Sequence, residues 1–282
     1  MNLRRLASAA ACVLAAVGMA GCAGGDAEPE ARPAVVWAVG DGADGSDQAR
    51  EVADRISAEP FDRFLYLGDV YDRGTREEFE RNYDSVYGEL SERTAPTPGN
   101  HDWENRDDGY EPYWEAALGT PIEPWYAFEM AGWEVLSLNS EEPVGPGSPQ
   151  HEWLQSRLTE PTDCRIAFFH SPRFSASEDH HGDDPEMEPL WKALKGHATI
   201  VIGAHDHDMQ RFKPVDGMTQ FVSGAGGHNL YEVDDDPRLA FGNDSDYGAL
   251  RLELRPGTAT HTFVSAEGAE LDRGSLSCRG AE

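Results

Sequence analysis

Val35-Val36-Trp37-Ala38-Val39-Gly40-Asp41 is an apolar run that breaks on glycine and hands over at once to an acid. A short apolar run bounded by a turn signal reads as a buried strand. The same arrangement recurs in Phe64-Leu65-Tyr66-Leu67-Gly68-Asp69, and Arg165 to Phe169 forms a third such strand, ending on His170. Ala198 to Ile202 forms a fourth and stops just before His205-Asp206-His207, while Thr97-Pro98-Gly99-Asn100 reads as a turn leading into His101-Asp102. Helical stretches separate them. Asp47 to Glu59 is one; Thr75 and Glu78 make a capping box for a second, running to about Leu90. Ser148-Pro149 supplies N-cap and first-turn residues for a helix through Leu158, and Glu186 to Leu194 is helical. Ala127 to Met130 and Glu134 to Leu138 read as a hairpin about Gly132. Gln220 to Val222, Gly248 to Leu254 and Thr260 to Val264 read as later strands, with Gly224 to Gly227 a glycine-rich loop among them. The order is β-α-β-α early and β-rich late, which implies one α/β domain over 34–275.

The chain has 282 residues, enough for a sizeable core, and a formal charge of −29. No excess of Lys and Arg exists to displace counterions from phosphates, so nucleic-acid binding is not expected. The N-terminus carries Arg4-Arg5 and then an uncharged stretch, Leu6 to Ala20. That pattern is a signal peptide over 1–21, too short for a bilayer span. Ala20-Gly21-Cys22 resembles the bacterial lipobox. The resemblance implies cleavage before Cys22, diacylation of its thiol, and an exported protein anchored to the outer face of a bacterial membrane; an ordinary secretory signal is the alternative. Residues 22–33 are a polar Gly/Pro/Glu tether. Cys12 leaves with the signal, so Cys164 and Cys278 remain. In an oxidising compartment they read as one disulfide, with two buried thiols as the other possibility.

Ligands of α/β folds collect at the carboxyl ends of strands, so Asp41, Asp69, Asn100, His170, His205 and His207 are expected to converge. Alternate residues of one strand share a face, which groups His205 with His207. Asp, Asn and His without Cys form a hard-to-borderline donor set, suited to Fe, Zn or Mn. Six such donors with one bridging carboxylate hold two metal ions. Other chemistries lack their motifs: the sequence contains no GxxxxGK[ST] and no GxSxG, and His151-Glu152-Trp153-Leu154-Gln155 lacks the second His of HExxH.

These blocks, Gly40-Asp41, Gly68-Asp69, Gly99-Asn100-His101-Asp102, Phe169-His170 and His205-Asp206-His207, resemble the calcineurin-like metallophosphoesterase superfamily, and within it purple acid phosphatases. The resemblance implies a two-sheet β-sandwich flanked by helices, with Asp41 and His207 on one metal, Asn100, His170 and His205 on the other, and Asp69 bridging. It further implies hydrolysis of a small phosphate ester, a monoester above a diester or nucleotide, by a hydroxide made available between the metals. A non-catalytic binding lipoprotein retaining the fold is the reading from another class. His101 is the expected general acid with Asp102 orienting its ring, and His180, His181 and His228 are expected to bind substrate. Three positions depart from the pattern. Ala43 stands where many members have a ligand His, and Ala204 where a Gly is usual. Tyr71 lies two residues after Asp69, where purple acid phosphatases place a ligand Tyr three residues on; that leaves open whether Tyr71 reaches a metal.

Overall fold

The structure, a computed structural model, describes residues 32–177 and 179–278. The expected signal segment, Cys22 and the tether as far as residue 31 lie outside the described residues. The strands are β1 (Ala34–Val39), β2 (Arg63–Tyr66), β3 (Thr94–Pro96), β4 (Tyr126–Met130), β5 (Trp133–Ser137), β6 (Arg165–Phe168) and β7 (Ile200–Gly203). They continue with β8 (Met209–Phe212), β9 (Thr219–Ser223), β10 (Leu239–Asn243), β11 (Gly248–Arg255), β12 (Thr258–Ser265) and β13 (Glu270–Ser277). They build a six-stranded sheet, β13-β12-β11-β1-β2-β3, and a seven-stranded sheet, β10-β8-β9-β7-β6-β5-β4. Strands β1, β2 and β3 run parallel, as do β5, β6, β7 and β9.

Alternation along each strand sets the layers. Val36, Ala38 and Leu65 of the first sheet face Ile166, Phe168, Ile200 and Phe221 of the second, forming the central core. Val35, Trp37, Val39 and Phe64 point the other way, onto Val52 and Ile56 of helix Asp47–Ser57 and onto Phe79, Tyr83 and Trp114. On the far side, Leu136, Ala167 and Val201 pack against Leu154 and Leu158 of helix Pro149–Leu158 and against Leu190, Trp191 and Leu194 of helix Glu188–Leu194. The result is the expected two-sheet sandwich with helices on both outer faces. Because β1 is covered on both sides, its run is apolar throughout, as in a doubly covered parallel sheet.

Several local expectations hold. The Thr75/Glu78 capping box is present, Ser148 caps the helix that opens on Pro149, and Ala131 and Gly132 take positive φ in the β4–β5 turn. The helix expected from Thr75 to Leu90 is instead broken. After Arg76–Glu78 comes a π-helical segment, Phe79–Asp84, and Gly88–Arg93 is a 3₁₀ turn. The widened turn has a use: Asn82 within it donates through Nδ2 to the Tyr71 carbonyl. Strands β3, β8, β10 and β13 and helix Tyr110–Leu118 were not foreseen. The folded body also runs past residue 275, since β13 extends to Ser277.

Cys164 and Cys278 form a disulfide with Cα atoms 5.0 Å apart, closing a loop of 114 residues. It ties the start of β6 in one sheet to the end of β13 in the other. Arg211 of β8 and Asp272 of β13 add a two-pronged ion pair, at 2.7 and 2.9 Å, across the same gap. So long a loop restricts the unfolded chain strongly. Cys278→Ser is expected to lower unfolding stability by roughly 2–5 kcal/mol. Denaturant titration of variant and wild type checks this, and coincident curves would contradict it.

Candidate metal centre

All the expected donors come to the carboxyl ends of the parallel strands, where the two sheets meet. Gly40 donates its N–H to the Ser223 carbonyl at 2.9 Å, joining the two sheets beside Asp41. A Cβ on Gly40 would lie 2.7 Å from the Ala204 Cβ, so the glycine makes room for the alanine that replaces the usual Gly. Asp41, Asp69 and His205 adopt φ of 57°, 69° and 69°. Left-handed backbone at non-glycine residues costs about 1–3 kcal/mol each and concentrates at functional sites.

The donor atoms fall into two groups that share Asp69. His170 Nδ1 donates to the Leu67 carbonyl at 2.7 Å. Its Nε2 then faces Asn100 Oδ1 at 3.1 Å, His205 Nδ1 at 3.1 Å and Asp69 Oδ2 at 3.3 Å. In the second group His207 Nδ1 donates to the Asn229 carbonyl at 2.8 Å, which turns Nε2 inward to the Tyr71 hydroxyl at 2.9 Å. That hydroxyl lies 3.0 Å from Asp41 Oδ1 and 3.4 Å from Asp69 Oδ2. Tyr71 therefore reaches the site despite its shifted place in the sequence. Backbone carbonyls that fix the outer nitrogen of each ring are the usual support of metal-binding histidines.

Burial pushes the His205 and His207 imidazoles down to about 2 and about 3, with the neighbouring histidine charges adding to the effect. Both rings are thus neutral and keep a lone pair. Burial, with Asp69 as a like-charged neighbour, drives the Asp41 carboxyl up. Burial acts on Asp69 too, but the facing His170 overcomes it and holds that carboxyl well below the carboxylate range. Asp69, His170 and His205 each offer an atom within 4.8 Å of the others. The converging oxygen and nitrogen atoms of Asp, Asn, Tyr and His form a donor set that fits a pair of borderline cations.

A family model described as "Calcineurin-like phosphoesterase" matches residues 34–209, the stretch that carries every one of these donors. The chain belongs to the calcineurin-like phosphoesterase family. Within the family, this chain is 24% identical over 254 residues to a probable purple acid phosphatase 20 of Arabidopsis thaliana. The alignment takes in 77% of the chain and 57% of that relative, so the chain spans little more than half the relative's length. Two solved structures share the fold. A yellow lupin purple acid phosphatase superposes with a TM-score of 0.72 at 15% identity, over 88% of this chain and 54% of that one. GAP50 of Plasmodium, described as the anchor in the inner membrane complex, also gives 0.72, at 18% identity over 88% and 90% of the two chains. The purple acid phosphatase relationship implies a dinuclear metal site, which the donor geometry of this chain fits.

The remaining expected site residues surround these donors. The His101 ring is about a third exposed, and its Nε2 lies 3.9 Å from Asp69 Oδ2. His181 packs its ring on His205 with centroids 3.8 Å apart. His180 stacks on Tyr231 at 3.8 Å, and Tyr231 stacks in turn on His207 at 3.9 Å, which links His180 to the centre. His228 stacks on Tyr71 at 4.0 Å. Seven of the ten histidines thus gather here: 101, 170, 180, 181, 205, 207 and 228. Tyr231 was not singled out, because a lone Tyr in the acidic stretch after Gly227 carries no spacing signal. Asp44 was missed likewise; it meets His228 across 184 positions of sequence.

Asp102 requires correction. It does not orient His101, whose Nδ1 instead meets the Asp72 carbonyl. The buried Asp102 carboxylate accepts the backbone N–H groups of Asp69, Val70 and Gly99 at 2.8, 2.8 and 2.9 Å. Neighbours on a helix point in different directions, so adjacency to His101 did not imply contact. Asp102 staples the Asp69 loop to the Asn100 turn. Asp102→Asn puts an amide among those donors, at a cost of about 1–3 kcal/mol or more. Lower thermal stability and reduced metal content are expected. A variant with native melting and native metal, losing only turnover, would restore the orienting role.

Proposed function

We propose that this phosphoesterase hydrolyses small phosphate monoesters with two metal ions drawn from Fe, Zn and Mn. The single observation behind the reading is the convergence of six donor side chains around Asp69, with the half-open His101 ring at their edge. The family membership supports phosphoester hydrolysis in general. The monoester preference rests on the number of nitrogen donors around the metal centre, which exceeds what the metals alone require.

Asp41, Tyr71 and His207 would hold one ion, Asn100, His170 and His205 the other, with Asp69 shared. Bound there, the ions supply Lewis acidity toward phosphoryl oxygens and lower the pKa of water. The chain supplies the rest. The Asp72 carbonyl takes up His101 Nδ1, so Nε2 is the nitrogen turned to the site, and it delivers a proton to the leaving alkoxide oxygen. His181, packed on His205, stands where it can donate to a phosphoryl oxygen. The net charge of −29 repels an anionic ester at long range, so the attraction must come from within the site.

We also propose export and lipid anchoring through Cys22. The supporting features are the Arg4-Arg5 start, the apolar Leu6 to Ala20 stretch and the small residues before the cysteine. Among the described residues no helix is long and apolar enough to cross a membrane.

The test is hydrolysis of p-nitrophenyl phosphate and bis-p-nitrophenyl phosphate by protein supplied with Mn, Fe or Zn. Monoester turnover is expected. Turnover of the diester alone would move the substrate class to phosphodiesters, and no turnover of either would favour a binding protein. His101→Ala is expected to reduce monoester kcat by about 10²–10⁴-fold with metal content intact. An unchanged kcat would remove His101 as the acid.

A further inference from the structure

The loop after β9 brings a second carboxylate–imidazole pair to the Asp41 side of the centre. His228 Nδ1 lies 3.1 Å from Asp44 Oδ2. Asp44 is itself fixed, its Oδ1 accepting the Ser46 N–H at 2.8 Å at the start of helix Asp47–Ser57. The His228 backbone N–H donates to the Asp41 carbonyl at 2.9 Å. The His228 ring lies flat on Tyr71, with centroids 4.0 Å apart and planes 17° off parallel. It stands edge-on to His207 at 5.2 Å. The preceding glycines permit this approach. A Cβ on Gly226 would come within 2.2 Å of the Gly40 carbonyl oxygen, and one on Gly227 within 2.6 Å of Ala49.

Three separate constraints therefore hold one imidazole: a carboxylate at Nδ1, a stacked phenol on one face, and a backbone bond to the ligand loop. Nothing in the core needs such precision, because the His228 side chain remains 28% exposed. With Nδ1 committed to Asp44, Nε2 is the nitrogen left for a ligand. His228 and His181 pack on different donors of the centre, one on Tyr71 and His207, the other on His205.

We infer that His228, oriented by Asp44, is a substrate-contacting residue that in its imidazolium form donates its Nε2–H to a terminal phosphoryl oxygen on the Asp41–His207 side, and that this contact favours monoesters over diesters. The inference rests on the proposed phosphoesterase activity. A monoester presents three terminal oxygens and a diester only two. Donors at both donor groups of the centre can serve the additional oxygen of the monoester, and only there does the extra contact form. Asp44 acts through His228 and is a positioning residue.

The test uses metal-loaded protein with His228→Phe, His228→Gln and Asp44→Asn. The phenylalanine keeps the stack on Tyr71 and removes the donor; the glutamine keeps a donor and gives up the stack. For His228→Phe, inorganic phosphate binding by calorimetry should weaken by about 10-fold or more, the scale of a lost hydrogen bond to a charged group. Its monoester-to-diester ratio of kcat/KM should fall with it, at unchanged metal content. His228→Gln should recover part of both, and Asp44→Asn should fall between wild type and His228→Phe. Unchanged phosphate affinity and ratio in His228→Phe would overturn the inference. So would equal losses on both substrates accompanied by loss of metal, which would make His228 a support for Tyr71 alone. If the wild type neither turns over an ester nor binds phosphate, the failure belongs to the proposed function instead.

Discussion

Asp41 and Asp69 lie within reach of one phenol hydroxyl, both wholly buried where two β-sheets meet. Two carboxylates cannot both keep their charge in such surroundings without a positive partner. That constraint organises the rest of the chain. It accounts for the histidines that converge from β6 and β7 and for the carbonyls of Leu67 and Asn229 that turn their rings inward. It accounts as well for left-handed backbone at three donor residues, a strain that only an over-determined scaffold holds in place.

The scaffold is the pair of sheets, and its resistance to separation matters as much as its register. The first sheet delivers Asp41, Asp69 and Asn100; the second delivers His170, His205 and His207. Neither sheet holds a complete donor set. The disulfide between Cys164 and Cys278 and the Arg211–Asp272 ion pair both cross between the sheets. A fold this widely shared hosts unlike roles, as the neighbouring lupin phosphatase and Plasmodium anchor illustrate. Function must accordingly be argued from the side chains at the junction.

Much of this was legible in the sequence. The apolar runs that stop at Asp41, Asp69 and His170 carry their own boundaries, since burial on both faces removes polar residues from the strand and the glycine or the functional residue ends it. Where structure depended on distant partners, the sequence was silent. The sequence of β13, Glu-Leu-Asp-Arg-Gly-Ser-Leu-Ser, is too polar to announce an edge strand, and its place is set by pairing with β12 and by Asp272. The long helix expected after Thr75 is interrupted because Asn82 must reach the Tyr71 carbonyl, a tertiary demand that overrides local propensity. Asp102 was misread for a related reason: its neighbour in the chain suggested a catalytic partner, while its real partners are the N–H groups of another loop. Tyr231 and Asp44 enter the site from loops whose acidic composition resembles an ordinary solvated surface.

Two metal ions are proposed to occupy the junction around Asp69. Elemental analysis of protein purified without chelator tests it most directly, set beside the same analysis of Asp69→Asn. About two Mn, Fe or Zn ions per wild-type chain and a large loss in the variant are expected. Less than one ion per wild-type chain after all three metals have been offered would contradict it.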